Sequence, residues 1–137
     1  MVSNIYEQLK RDEGVERAMY RDSLGNPTIG VGHLLTNPLS DRAIQVLLED
    51  DVRVASETLT TRCPWVTTLS DARRGVFLNL TFNMGIDGLL GFQKMLRAAQ
   101  AGSWDVAAAE LLHSVYAKQV GDRAVRLATQ LREDRWV

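Results

Sequence analysis

The sequence predicts an α+β fold: a small β-hairpin lobe, one long connecting helix and a larger helical lobe, with a cleft between the lobes where a ligand can sit. Three observations carry this. Helical spacing of apolar residues governs almost all of the chain beyond residue 40. Between Ala18 and Thr36 that period disappears, and "LGNPTIGVGH" joins strong turn chemistry to a strand-like alternation. The 137 residues, 45% of them hydrophobic, suit one compact unit with a real core. We therefore expect a single domain over 1–137, with the hairpin and connecting helix over about 14–59 and the helical lobe formed by 60–137 together with 1–13.

Residues 3 to about 13 read as the first helix, capped by Ser3 or Asn4 and ended by Gly14. Ile5, Leu9 and Glu13 follow one another at four-residue steps and share a face, which puts Glu13 on the apolar side. The hairpin follows, with room for a ragged third strand. Its glycines at 30 and 32 leave one face bare, so another group can approach the backbone closely. Ser40 is a good cap for a helix to about Leu59, with Ile44, Leu47, Leu48 and Ala55 inward. Asp51 lies by the same stripe, where a carboxylate needs a partner or an edge position. "RCPW" breaks the pattern. Ser70 then caps a helix to about Met84, with Val76, Phe77 and Leu80 inward, and Gly85, Gly88 and Gly91 break it. Further helices are predicted over about 92–101, after a Ser103 cap with Trp104, Ala107, Ala108 and Leu111 on one stripe, and after an Asp122 cap with Ala124, Leu127, Ala128 and Leu131 inward.

Composition narrows the function. The net charge of −1 hides an asymmetry: residues 1–60 hold six Lys and Arg against ten Asp and Glu, and residues 61–137 hold ten against seven. No long basic cluster occurs, which argues against nucleic acid as the main partner. The one cysteine, Cys63, cannot form an internal disulfide and reads as a packing residue. Two histidines, neither spaced for shared ligation, argue against a metal site, and no cofactor is expected. No apolar run reaches the length of a membrane span, and the N-terminus lacks a continuous apolar leader. The expected setting is the cytoplasm, without membrane insertion.

The chemistry concentrates in residues 11–36. Glu13 ends an apolar helix face, and partial burial there would help a carboxyl keep its proton near neutral pH, as a general acid must. Asp22 opens the hairpin turn and Thr28 begins the return strand. Together an ionised carboxylate and a hydroxyl can hold and orient a water. Glycoside hydrolysis needs this combination: one protonated carboxyl at the leaving oxygen, and a carboxylate or held water across the sugar ring. Asp12 and Glu16 are rival acids, less well placed by period.

The pattern "DEG…Y.D..G..TIGVGHLLT" resembles the N-terminal signature of the phage lysozyme family, the T-even type among glycoside hydrolases. The likeness continues in "LLEDDV", "LSDARRGVFLNLTFNMGIDGLLGFQKML", "GSWDVAAAELLHS" and "DRAVRLATQLREDRW". It runs in order over nearly the whole chain. The resemblance implies a lysozyme-like fold and a muramidase that cleaves peptidoglycan between N-acetylmuramic acid and N-acetylglucosamine for host lysis. It implies Glu13 as general acid, Asp22 as the carboxylate of the opposite face, and Thr28 as a holder of the nucleophilic water, with inversion at the anomeric carbon. Arg123 matches an arginine that pairs with the acid. His33 matches a histidine that pairs structurally with an aspartate, here Asp51. Gly32, Leu34, Phe82, Asn79 and Asn83 match the substrate-lining positions. A phage endolysin also implies a monomer held in the host cytoplasm until a holin opens the membrane. Alternative readings are a lytic transglycosylase and a catalytically silent wall-binding module.

The sequence also departs from the family pattern. The stretch between "GHLLT" and the connecting helix is much shorter than in the T-even enzymes. Met95 and Glu110 stand where those carry smaller or neutral polar residues, and Tyr116 replaces a tryptophan. The catalytic set is untouched by these changes, which bear on subsites and polymer preference.

Overall fold

Seven α-helices and one three-stranded antiparallel sheet make up the computed structural model, which describes residues 1–137. The chain divides into two compact units, residues 1–45 and 46–137.

The first unit begins with helix α1, Ile5–Glu13. Asn4 is its N-cap, accepting from the Glu7 N–H at 2.9 Å, while the Glu7 carboxylate reaches back to the Ser3 N–H at 2.9 Å. This reciprocal pairing satisfies donors that a helix start leaves open. Gly14 closes the other end by donating to the Lys10 carbonyl. Strands β1 (Glu16–Arg21), β2 (Pro27–Gly30) and β3 (His33–Leu34) pair in sequence order. Tyr20 faces Thr28 and Arg21 faces Pro27, with an irregularity between Glu16 and Tyr20. Thr28 and Ile29 then face Leu34 and His33. The hairpin and its short third strand are thus as the turn and alternation signals predict.

Helix α2, Asp41–Arg62, crosses the boundary of the units. Ser40 caps it, accepting from the Ala43 N–H at 3.1 Å. The expected inward stripe is only partly inward. Ala55 and Leu59 are buried, whereas Ile44, Leu47 and Leu48 are about half exposed. Period identifies residues that share a stripe but not how far along the helix the stripe is covered.

The second unit holds the core. A 3₁₀ turn, Pro64–Thr68, follows "RC". Then come α3 (Asp71–Leu90), α4 (Gln93–Gln100), α5 (Trp104–Leu112), α6 (Val115–Val120) and α7 (Asp122–Glu133). Ser70 caps α3. The helix passes through Gly85, whose φ of 79° and ψ of 167° break its axis, and resumes to Leu90. Such a backbone favours glycine. Gly88 does not end the helix. Val76, Phe77, Leu80, Leu89, Leu111 and Leu131 are fully enclosed, α5 packs on α4 and α7, and Trp65 meets Phe77 edge-to-face at 5.3 Å. Cys63 is buried among them, and that burial pushes its thiol above the usual range. One boundary and one expected cap bond correct the sequence reading. Asp122 is the first residue of α7 and Gly121 its N-cap. Ser103 holds the N-cap position of α5 without a side-chain cap bond.

Arg73 ties α3 to the end of α7. Its Nε donates to the Leu131 carbonyl at 2.8 Å and its Nη2 to the Arg132 carbonyl at 3.2 Å. The guanidinium also lies 4.3 Å from the Trp104 ring centroid and 3.6 Å from the Asp134 carboxylate. Asp134, with φ 53° and ψ 47°, accepts a bond from the Ser70 hydroxyl, which holds it in a left-handed conformation that Asp tolerates. Arg73 therefore closes carbonyls that the helix end leaves unpaired. Arg73→Ala is expected to lower stability by about 2–3 kcal/mol, from charge-assisted hydrogen bonds plus the ring contact. Arg73→Lys should recover little, because an ammonium lacks the planar fork. Urea unfolding of the three proteins measures both.

Candidate active site

Glu13 is the last residue of α1 and Gly14 turns the chain away from it toward β1. The carboxyl is exposed, and no residue of α1 is buried. This corrects the expectation of partial burial: Ile5 is 55% and Leu9 43% exposed, so their shared face gives Glu13 no apolar enclosure. The carboxylate instead lies against the turn before β3. A Cβ built on Gly32 would stand 3.3 Å from Glu13 Oε2, and Gly32 has a φ of 67°. Gly32, expected as a substrate-facing backbone position, also makes the room that Glu13 occupies.

Asp22 is shaped by the turn that it opens. Its Oδ1 accepts from the Leu24 N–H at 2.9 Å and the Asn26 N–H at 2.8 Å, and the Asn26 amide nitrogen lies 3.4 Å from Oδ2. Foremost the Asn26 N–H, with Leu24 and the Asn26 side chain assisting, holds the carboxyl below the ordinary Asp value against a smaller opposing desolvation. Thr28 is 2% exposed, and its hydroxyl donates to the Asn26 carbonyl at 2.8 Å. Asn26 thus joins the two: its N–H serves Asp22 and its carbonyl serves Thr28. The sequence reading missed Asn26, although "DSLGNPT" carries the signal in an Asx turn that places an Asn before Pro.

His33 pairs with Ile29 in the sheet, and its Nε2 is buried without a hydrogen-bond partner. Leu34 faces Thr28 in the same ladder and is half-buried.

In the second unit, Asn79 and Asn83 stand one turn apart on α3. Asn79 Oδ1 accepts from Arg123 Nε at 3.1 Å and Nη2 at 2.7 Å. Asn83 Oδ1 accepts from the Tyr116 hydroxyl at 3.0 Å. Both amide oxygens, expected to meet sugar, therefore already hold protein donors. Phe82 is 46% exposed and forms a wall of two grooves. One, about 350 Å³, is shared with Leu78, Asn79, Arg123 and Trp136. The other, about 400 Å³, is shared with exposed Asp51, Thr58 and Ile86. Trp136 was not anticipated; it falls beyond the last periodic apolar residue. Met95 is 1% exposed and part of the core, while Glu110 lines a separate groove with Lys94 and His113.

Comparison with known proteins bears on the whole of this arrangement. The family model described as phage lysozyme matches residues 10–133. Two probable T4-type lysozymes of Dictyostelium discoideum are 28% and 30% identical, each alignment covering 93% of this chain and 92% of the relative. The endolysin of Salmonella phage P22 is 29% identical over 96% of this chain and 92% of its own length. The matched span takes in Glu13, Asp22, Thr28 and Arg123 and runs through α7, so the chain belongs to the phage lysozyme family.

Proposed function

We propose that this protein is an endolysin-type lysozyme, a glycoside hydrolase that cleaves the β-1,4 bond between N-acetylmuramic acid and N-acetylglucosamine in peptidoglycan. The observation that carries the reading is the hairpin turn, where three N–H donors hold Asp22 in its ionised form and Asn26 links it to Thr28. Family membership supplies the reaction class.

The residues can divide the work as follows. Glu13 donates its proton to the leaving glycosidic oxygen. Asp22 stays ionised and faces the positive charge that grows at the anomeric carbon. Thr28 spends its one hydroxyl proton on Asn26, so toward a water it can act only as an acceptor. As the water held by Asp22 and Thr28 bonds through its lone pair to the anomeric carbon, the glycosidic C–O bond breaks, the leaving oxygen takes the Glu13 proton, and the water's surplus proton passes by way of Asp22 to solvent. Attack from the face opposite the leaving group inverts the configuration. Arg123 supports the acid, and His33 has a structural role, although its buried Nε2 has no hydrogen-bond partner and so does not make the expected pairing with Asp51. Gly32, Leu34, Phe82 and the amide nitrogen of Asn83 meet the polymer. The enzyme acts as a monomer after a holin has opened the host membrane.

Product analysis of purified murein tests the reading. The expected product has a free reducing end, first released in the inverted α configuration. A 1,6-anhydro sugar would make the protein a transglycosylase. Binding without any bond cleavage would make it a wall-binding module. In the same assay His33→Asn should keep most activity while melting earlier; a folded but inactive His33→Asn would place His33 in the catalytic set.

A further inference from the structure

The sequence reading places Asn79 among the sugar-binding residues. The geometry points elsewhere. Arg123 is the second residue of α7, at the helix end where the dipole gives a cation no help. Its N-cap, Gly121, offers no side-chain bond. An arginine there would ordinarily extend into solvent. Arg123 is instead half-buried, with Nε and Nη2 converging on one oxygen of a residue 44 positions earlier.

A guanidinium only donates, so the atom facing it must be Oδ1 of Asn79, and the amide nitrogen is turned away. Two donors from one edge of a planar group onto one acceptor fix the plane of that group. The Nη1 edge is left unused by Asn79. One turn further along α3, Asn83 holds the Tyr116 hydroxyl in the same manner. The same face of α3 therefore anchors the chain on both sides of the α6–α7 junction. The placement of Arg123 is imposed by α3 and not by α7 alone.

We propose that Asn79 is a positioning residue that sets the orientation of the Arg123 guanidinium for catalysis, rather than a substrate-binding amide. This rests on the reading of the protein as a lysozyme in which Arg123 supports the acid. A misdirected guanidinium would weaken transition-state stabilisation and leave polymer binding nearly intact, so the loss should appear in kcat.

The test uses the full chain and soluble, uncross-linked peptidoglycan, with reducing ends as the readout and thermal unfolding as the check on folding. Asn79→Ala should lower kcat roughly tenfold with KM changed by no more than about twofold. Asn79→Asp, which keeps an acceptor oxygen for the guanidinium, should return kcat to within about threefold of wild type. In an Arg123→Ala background, Asn79→Ala should cost nothing further. If Asn79→Ala does not fold, Asn79→Ser carries the same expectation. A raised KM at unchanged kcat, an equal loss in Asn79→Asp, or additive losses in the double variant would each overturn the proposal. So would an Arg123→Ala protein as active as wild type, which leaves the lysozyme reading standing. A wild-type protein that releases no reducing ends would instead remove that reading, and the inference with it.

Discussion

Glu13→Gln should reduce reducing-end release from murein by roughly 10²–10⁴-fold, the range associated with loss of a positioned general acid. Its thermal midpoint should stay at the wild-type value. The two halves of this expectation have separate grounds. Glutamine has the shape of a protonated carboxyl but no proton to give, so the leaving sugar must depart without assistance. Stability is spared because Glu13 is exposed and α1 contains no buried residue, so the exchange removes no packing. The amide also fits beside Gly32, where the absence of a Cβ leaves room for either group. A parallel fall in midpoint and rate would assign Glu13 to holding α1 on the hairpin. An unchanged rate would mean that another group protonates the leaving oxygen, with the neighbouring acids Asp12 and Glu16 the first to examine.

The contrast between legible and illegible features follows the range of the forces involved. Helix α1, the hairpin and the Ser70 cap were readable because each is written within a few consecutive residues, by period or turn chemistry. The six-residue α6 went unread, since a helix of under two turns shows no period. The start of α7 was misplaced by one residue, as a good capping type beside a glycine invites. What the local pattern could not supply was partnership. The Arg73 web joins residues 58 and 59 positions apart, and the Asn79–Arg123 pair spans 44. No spacing rule connects them, because each pairing is created by the packing of α3 on its neighbours.

The site shows the same division. Glu13, Asp22 and Thr28 are proposed as a set because they fall within one short stretch whose chemistry is coherent. The fold alters the emphasis within that stretch. Gly32 becomes the neighbour of the Glu13 carboxylate. Asn26, unremarkable as one turn residue among several, becomes the group through which Asp22 and Thr28 are joined. Asn79 keeps its place on the predicted face of α3, but its carbonyl is already engaged.

Asp22→Asn should lower kcat by roughly 10²–10³-fold, the scale of losing one electrostatic contact to a developing charge. The hairpin should survive. An asparagine oxygen can accept the Leu24 and Asn26 N–H groups that Asp22 Oδ1 accepts, so the exchange removes charge while conserving the turn. Asp22→Ala removes both, and should additionally speed amide exchange at Leu24 and Asn26. The pH dependence separates charge from shape further. Because the folded-state value of Asp22 is depressed, its stabilising contribution is fully present above the ordinary Asp value of 3.8 and is lost as pH falls through the depressed value. The mechanism requires Asp22 as an anion, so kcat should hold as pH falls through the ordinary Asp value and drop only below it, where Asp22 takes up its proton. That acid limb should be absent from Asp22→Asn, on a curve lowered at every pH. A limb that persists unchanged in Asp22→Asn would show another group titrating there, and the role of Asp22 as the anion of the site would have to be redrawn.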